Sequence, residues 1–275
     1  MLPIKQHLSL KNKFRKSNSV SDIYLNIGHF LNHFMMLIFA KSAYDAARFF
    51  KTDYETIIVY ATLGFVLFGA ASPLAAILAD KYSRVFLLFI FPLGVGFSSL
   101  LACFCQSPFQ LGVAISCIGL FSSIYHPVGI AMLVRKTSGR GLRLGINGVW
   151  GNMGVAAAPL ITGGFILLSD WRLAFFCCGV ICVCFSGLFF MAIYGSDEKY
   201  ESQEIIKQET LAPEWLQALL GLSLITISGG CTFGLITFIL PRYFEVHMNL
   251  VSTNVAVTGL FAALVFMLAS SAQLL

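Results

Sequence analysis

Long apolar stretches alternate with short polar breaks along nearly the whole chain. Eight such stretches lie near 22–42, 56–79, 85–105, 108–134, 142–168, 171–194, 214–240 and 252–275. Each approaches or exceeds the ~20 predominantly apolar residues that a helix needs to cross hydrocarbon. They are long and continuous, unlike the short alternating segments of a transmembrane barrel. The pattern predicts an all-α polytopic membrane protein. The breaks are brief except for "GSDEKYESQEIIKQETLAP" at 195–213, which is mostly acidic and is closed by Pro213. The predicted organisation is therefore a basic N-terminal segment over 1–21 and a six-helix transmembrane bundle over 22–194. An inter-bundle loop over 195–213 then leads to two further helices over 214–275.

Composition supports this reading. Hydrophobic residues make up 57% of the 275 and charged ones only 11%, with a mean hydropathy of +0.82. A soluble domain carries about 25% charged residues, so the solvent of this surface is lipid. The net charge of +5 does not call for nucleic acid as a partner, because its distribution follows the membrane. The segments 1–21, 80–84, 135–143 and 195–213 hold 13 Lys and Arg, and the alternate breaks hold 5, namely Lys41, Arg48, Lys51, Arg172 and Arg242. Positive residues gather on the cytoplasmic side, so the N-terminus is expected in the cytoplasm and the protein in the inner or plasma membrane. The first apolar run is long enough to span, and no small-residue cleavage pattern follows it, so it reads as an uncleaved helix. The eight cysteines all fall in apolar runs. Cys178 and Cys182 share a helix face, but small buried apolar side chains account for them.

Several stretches carry candidate chemistry. "GLRLGINGVWGNMGVAAAPLITGG", 141–164, repeats glycine at Gly145, Gly148, Gly151 and Gly154 and adds Pro159. Glycine in a membrane helix permits close backbone approach, and a proline kinks the helix where neighbours satisfy the freed carbonyl. "YHPVG" sets His126 beside Pro127, which frees the carbonyl of Ser123. His126 then either fastens a kink or faces a cavity, where it would bind a solute or relay a proton. In "YLNIGHFLNHF", 24–34, Asn26, His29 and His33 are spaced i, i+3, i+7 on one face, with Asn32 beside them. They supply either packing polarity or contacts to a solute or proton. Two histidines at i, i+4 do not complete a zinc site, so no metal is expected. The expected solute and proton pathway is Asn26, His29, His33 and His126, with Asn147 or Asn152. No Asp or Glu falls deep within an apolar run on this reading, which leaves histidine, with a reference pKa of about 6.5, as the titrating group. No nucleophile–base constellation, HExxH or phosphate loop is present. Neither an enzyme nor a cofactor is expected.

Four motifs resemble the major facilitator superfamily. "GAASPLAAILADKYSR", 69–84, is similar to that family's signature between helices two and three, with Gly69 opening it and Asp80, Lys81 and Arg84 at the charged positions; Ser83 stands where glycine is usual. "DWRLAFF", 170–176, resembles the start of the family's sixth helix, and the Gly/Pro-rich 141–164 resembles the fifth helix of its drug antiporters. Tyr-His-Pro at 125–127 followed by "GNMG", 151–154, is similar to the fosmidomycin-resistance branch. "LITFILPRYFEVHMNLVSTNVAVTGLFAAL" also echoes the end of helix one and the start of helix two. The resemblance implies a complete first bundle of six helices plus the first two helices of a second, in an apparently C-terminally truncated chain. It implies a transporter of a small organic solute by alternating access, with proton-coupled drug efflux, or else a non-transporting fragment of one. Asp80, Lys81 and Arg84 with Gly69 would form a conformational latch. Pro127, Gly148, Gly151, Gly154 and Pro159 would set helix packing and kinks. The implied partners are a small-molecule substrate and the lipid bilayer; self-association is left open.

Overall fold

The computed structural model of the chain describes residues 4–134, 140–193, 215–248 and 254–271. Among them the chain forms helices and turns only. The helices are α1 (Ile4–Phe50), α2 (Tyr54–Ala70), α3 (Ser72–Lys81), α4 (Arg84–Cys103), α5 (Pro108–Ser122), α6 (Tyr125–Val134), α7 (Arg140–Leu168), α8 (Trp171–Ile193), α9 (Trp215–His247) and α10 (Val255–Ser271). Six stretches are long and apolar enough to cross a membrane, and the bent pair α2 and α3 makes a seventh. Helix α10, 17 residues long, is the eighth apolar helix. The predicted loop at 195–213 and residues 135–139 lie outside the described residues.

Three of the expected helices differ in instructive ways. The first does not stop near residue 42 but runs on to Phe50. Ala43, Ala46 and Ala47 explain this, because they repeat at helical spacing and are buried to 3% exposure or less. Small residues at that spacing continue the packed face although Lys41, Asp45 and Arg48 intervene. The helix ends at Lys51, which has φ of 54°. Its N–H donates to the carbonyl of Arg48, and that of Thr52 donates to the carbonyl of Ala47. This is the paired closure of a Schellman motif, with a lysine in the left-handed position that glycine usually takes.

The second expected helix is broken. Helices α2 and α3 meet at an angle of 43°. Pro73, in the first turn of α3, has no N–H to donate to a preceding carbonyl. The fourth expected helix is likewise divided, as α5 and α6, with Ser123 and Ile124 in the turn between them. The two breaks lie against each other. The Ser72 hydroxyl lies 3.0 Å from the carbonyl of Phe68 and 3.2 Å from that of Ser123. Ser123 is the carbonyl that Pro127 leaves without its helical donor, so a hydroxyl from the neighbouring broken helix serves it.

The first bundle comprises α1, the pair α2 and α3, α4, the pair α5 and α6, α7 and α8. Within it α1 packs mainly on α7, α4 on α8 and on α5, and α2 on α5. Close approach of α1 and α7 depends on the glycines of α7. A methyl group at Gly154 would overlap the Phe30 carbonyl, and one at Gly151 would come within 2.7 Å of the His29 ring. Arg172 fastens α8 to α4, its guanidinium donating to the carbonyls of Cys103 at 3.0 Å and Cys105 at 2.9 Å. It places a cation at the C-terminal end of α4, where the helix dipole favours one. Cys178 and Cys182 are buried free thiols. Helices α9 and α10 begin a second bundle. Helix α10 packs along α7, whereas α9 is exposed over most of its length, with Leu224 and Ile225 70% and 72% exposed.

Glu245 lies in the last turn of α9, where the sequence reading places a loop. The sequence places it after Pro241, which reads as the end of a run. Helix α9 instead continues through Pro241 to His247, and Glu245 sits inside it, paired with Lys41 of α1. Lys41, taken from sequence as a residue of an outer loop, has a fully buried side chain within α1. The charge that makes each residue look like loop is neutralised by the other.

Candidate functional site

Asn147 of α7 is the node of a buried polar network that joins α1, α6 and α7. It is 2% exposed. Its side-chain amide donates to Asn26 Oδ1 at 2.9 Å and to the Tyr125 hydroxyl at 3.0 Å. That hydroxyl donates in turn to the Leu25 carbonyl at 2.6 Å. The Asn147 carbonyl lies 2.7 Å from His29 Nδ1. A carbonyl only accepts, so Nδ1 carries the hydrogen and His29 Nε2 keeps a lone pair. His33 Nε2 lies 3.1 Å from that atom and donates to it.

The break between α5 and α6 brings His126 to the same place. Its ring centre is 5.1 Å from that of His29 and 5.2 Å from that of His33, edge-on to both. Tyr125 stacks on His29 at 5.0 Å. Phe68 of α2 and Phe233 of α9 close the cluster with ring contacts to His126 and His33. Five of the six pathway residues expected from sequence, Asn26, His29, His33, His126 and Asn147, thus stand together. Asn152 belongs to a neighbouring space. It lines a cavity of about 210 Å³ with Val155 of α7, Phe233 of α9, and Phe266 and Ala269 of α10. Phe233 borders both places. Asn32 stands apart, fully buried and without a hydrogen-bond partner among the described residues.

Sequence reasoning missed Tyr125. Its signal was adjacency to His126 at a helix start, where consecutive side chains both turn inward. It also missed two ion pairs. Arg143 forms a forked contact with Asp22, through Nε to Oδ2 at 2.8 Å and Nη2 to Oδ1, and its Nη1 donates to the Leu133 carbonyl at 2.6 Å. At the other end of α1, Lys41 donates to Glu245 and, at 3.2 Å, to Thr258 of α10. Arg242 lies over the Tyr44 ring at 4.1 Å. These contacts tie α1 to α9 and α10 across the two bundles.

The residues expected to act as a latch lie at the exposed junction of α3 and α4. Arg84 pairs with Asp80 at 2.8 Å, and the Lys81 ammonium lies 5.3 Å from the Tyr82 ring centre. A methyl group at Gly69 would meet nothing within 4 Å. Ser83, where the family motif usually has glycine, caps α4 by accepting from the Phe86 N–H at 3.3 Å.

The family model for the Major Facilitator Superfamily matches residues 25–275. The chain belongs to the major facilitator superfamily. Its fold is similar to that of a bacterial homologue of the human lysosomal transporter Spinster. The inward-facing and occupied form gives a TM-score of 0.70 at 17% identity, covering 92% of this chain and 59% of that one. The inward-facing and unoccupied form gives 0.69 at 17%, covering 93% and 60%. This facilitator chain therefore spans about three-fifths of the length of those chains. No curated protein matches it. In facilitator terms, the first bundle supplies the polar network, and α9 and α10 supply the opposing apolar wall.

Proposed function

We propose that the chain carries the solute path of a secondary transporter that moves a small organic solute by alternating access, outward in exchange for protons. The network of Asn26, His29, His33, His126 and Asn147 carries this reading. Polar groups are costly in hydrocarbon, and these gather on α1, α6 and α7 beside a cavity that α9 and α10 wall from the other bundle. Asn152 extends the path into that cavity. Rocking of two bundles about a site between them is the working motion of such folds. Histidine provides the exchangeable proton. The N-terminus faces the cytoplasm of an inner or plasma membrane, so Lys41, Glu245 and Thr258 close the outer end. Asp80, Lys81 and Arg84, with Gly69, act at the inner end. The likeness of 125–127 and 151–154 to the fosmidomycin-resistance branch supports drug efflux as the direction.

The exposure of α9 favours a second reading for the 275 residues taken alone. With about three-fifths of the homologue's length, they leave the α9 side of the cavity without its further helices. By itself the chain then inserts without transporting. Fosmidomycin efflux from cells tests both readings, using this chain, the chain extended by the last four helices of a relative, and His126→Ala in each. Efflux by the extended chain that is lost with His126→Ala is expected. Saturable efflux by the 275 residues alone would sink the second reading. Efflux indifferent to His126 would sink the first.

A further inference from the structure

Three imidazoles converge where the sequence offers only two at helical spacing. One ring nitrogen from each of His29, His33 and His126 lies within 4.8 Å of the others. We propose that these three histidines form a binding site for a divalent transition-metal ion of the zinc type. The inference goes beyond the transport reading and is tested without flux.

The tautomer of His29 is the first support. Its Nδ1–H is held at 2.7 Å by the Asn147 carbonyl, which turns the Nε2 lone pair toward His33. Metal-ligating histidines hold their other N–H on a carbonyl or carboxylate in this way, which fixes the ring and raises its basicity. Spacing is the second support. The Nε2 atoms of His29 and His33 are 3.1 Å apart. A tetrahedral ion with bonds of about 2.0–2.1 Å sets its ligands roughly 3.3 Å apart. The separation of these two nitrogens is thus already near that of a ligand pair; binding re-aims the His33 ring from His29 to the ion and draws in the His126 nitrogen from within 4.8 Å. Rigidity is the third. His29 is seated between the Tyr125 ring, stacked at 5.0 Å, and Gly151, where any side chain would strike it.

The donor set selects the ion. Three neutral imidazoles suit zinc, cobalt, nickel or copper, while calcium and magnesium take oxygen ligands. Three protein ligands leave a fourth position, which water fills, as in open zinc sites. The proton that His33 shares with His29 is the competitor, and a metal ion displaces it.

The test uses cobalt(II) as a spectroscopic probe on the purified 275-residue chain, expressed without a polyhistidine tag. Titration is expected to give the visible absorption of four-coordinate cobalt at one ion per chain, without a thiolate charge-transfer band, and zinc should displace it. His33→Ala and His126→Ala should each weaken binding at least tenfold, whereas His247→Ala, at the end of α9, should not. His126→Asn replaces His126→Ala if the latter does not remain monodisperse. A chain that gives no such spectrum overturns the proposal. So does one whose cobalt affinity is unchanged by His33→Ala and by the His126 variant, or one whose spectrum shows thiolate ligation.

Discussion

Lys41 of α1 and Glu245 of α9 form an ion pair across the two bundles, 204 positions apart in sequence, with the lysine side chain fully buried. A buried pair adds little over an apolar replacement, but removing one partner strands the other charge, at a cost of about 3–5 kcal/mol. Glu245→Gln alone, which strands the fully buried Lys41 ammonium, is therefore expected to lower the unfolding midpoint in detergent sharply, whereas Lys41→Met alone leaves Glu245 its contact with Arg242 at 3.4 Å and should cost less. Lys41→Met with Glu245→Gln should recover most of the loss. A double variant as unstable as the sum of the single ones would show that the two residues do not act on each other.

The contact of α1 with α7 gives a second expectation. A methyl group at Gly154 overlaps the Phe30 carbonyl, whereas one at Gly141, at the start of the same helix, meets nothing within 4 Å. Gly154→Ala is expected to cost about 1–3 kcal/mol through overpacking. Gly141→Ala should be neutral or slightly stabilising, since alanine is the better helix former. Thermal unfolding of the two variants in detergent checks this. Equal midpoints would contradict the close α1–α7 packing.

The fold was legible where one physical cause dominates. Continuous apolar length marks the spanning helices, and the broken fourth helix is foreshadowed by Pro127. Which donor would serve the carbonyl of Ser123 was not legible, because Ser72 lies 51 positions away and meets it only once α3 packs against α6. The shared face of Asn26, His29 and His33 follows from helical spacing alone. Their junction with His126 and Asn147 depends on how α6 and α7 dock, which the family resemblance, not the periodicity, made expectable. Lys41 and Glu245 misled the reading for one reason. Each looks like a loop residue while its partner is unseen, and a local pattern carries no information about a partner on another helix.

On the proposed transport path, the polar network opens on water between the bundles, with Lys41 and Glu245 at its outer end. Asn152, which lines the cavity between α7, α9 and α10, reports on it most directly and needs no known solute. Asn152→Cys is made in a chain whose eight cysteines are replaced by serine, and a membrane-impermeant maleimide is applied to sealed vesicles of each orientation. Labelling is expected when the cytoplasmic face is outward, and protection when the outer face is outward. A cysteine that resists the reagent from both faces, yet reacts with a lipid-soluble maleimide, would place position 152 against lipid and rule out an aqueous path there.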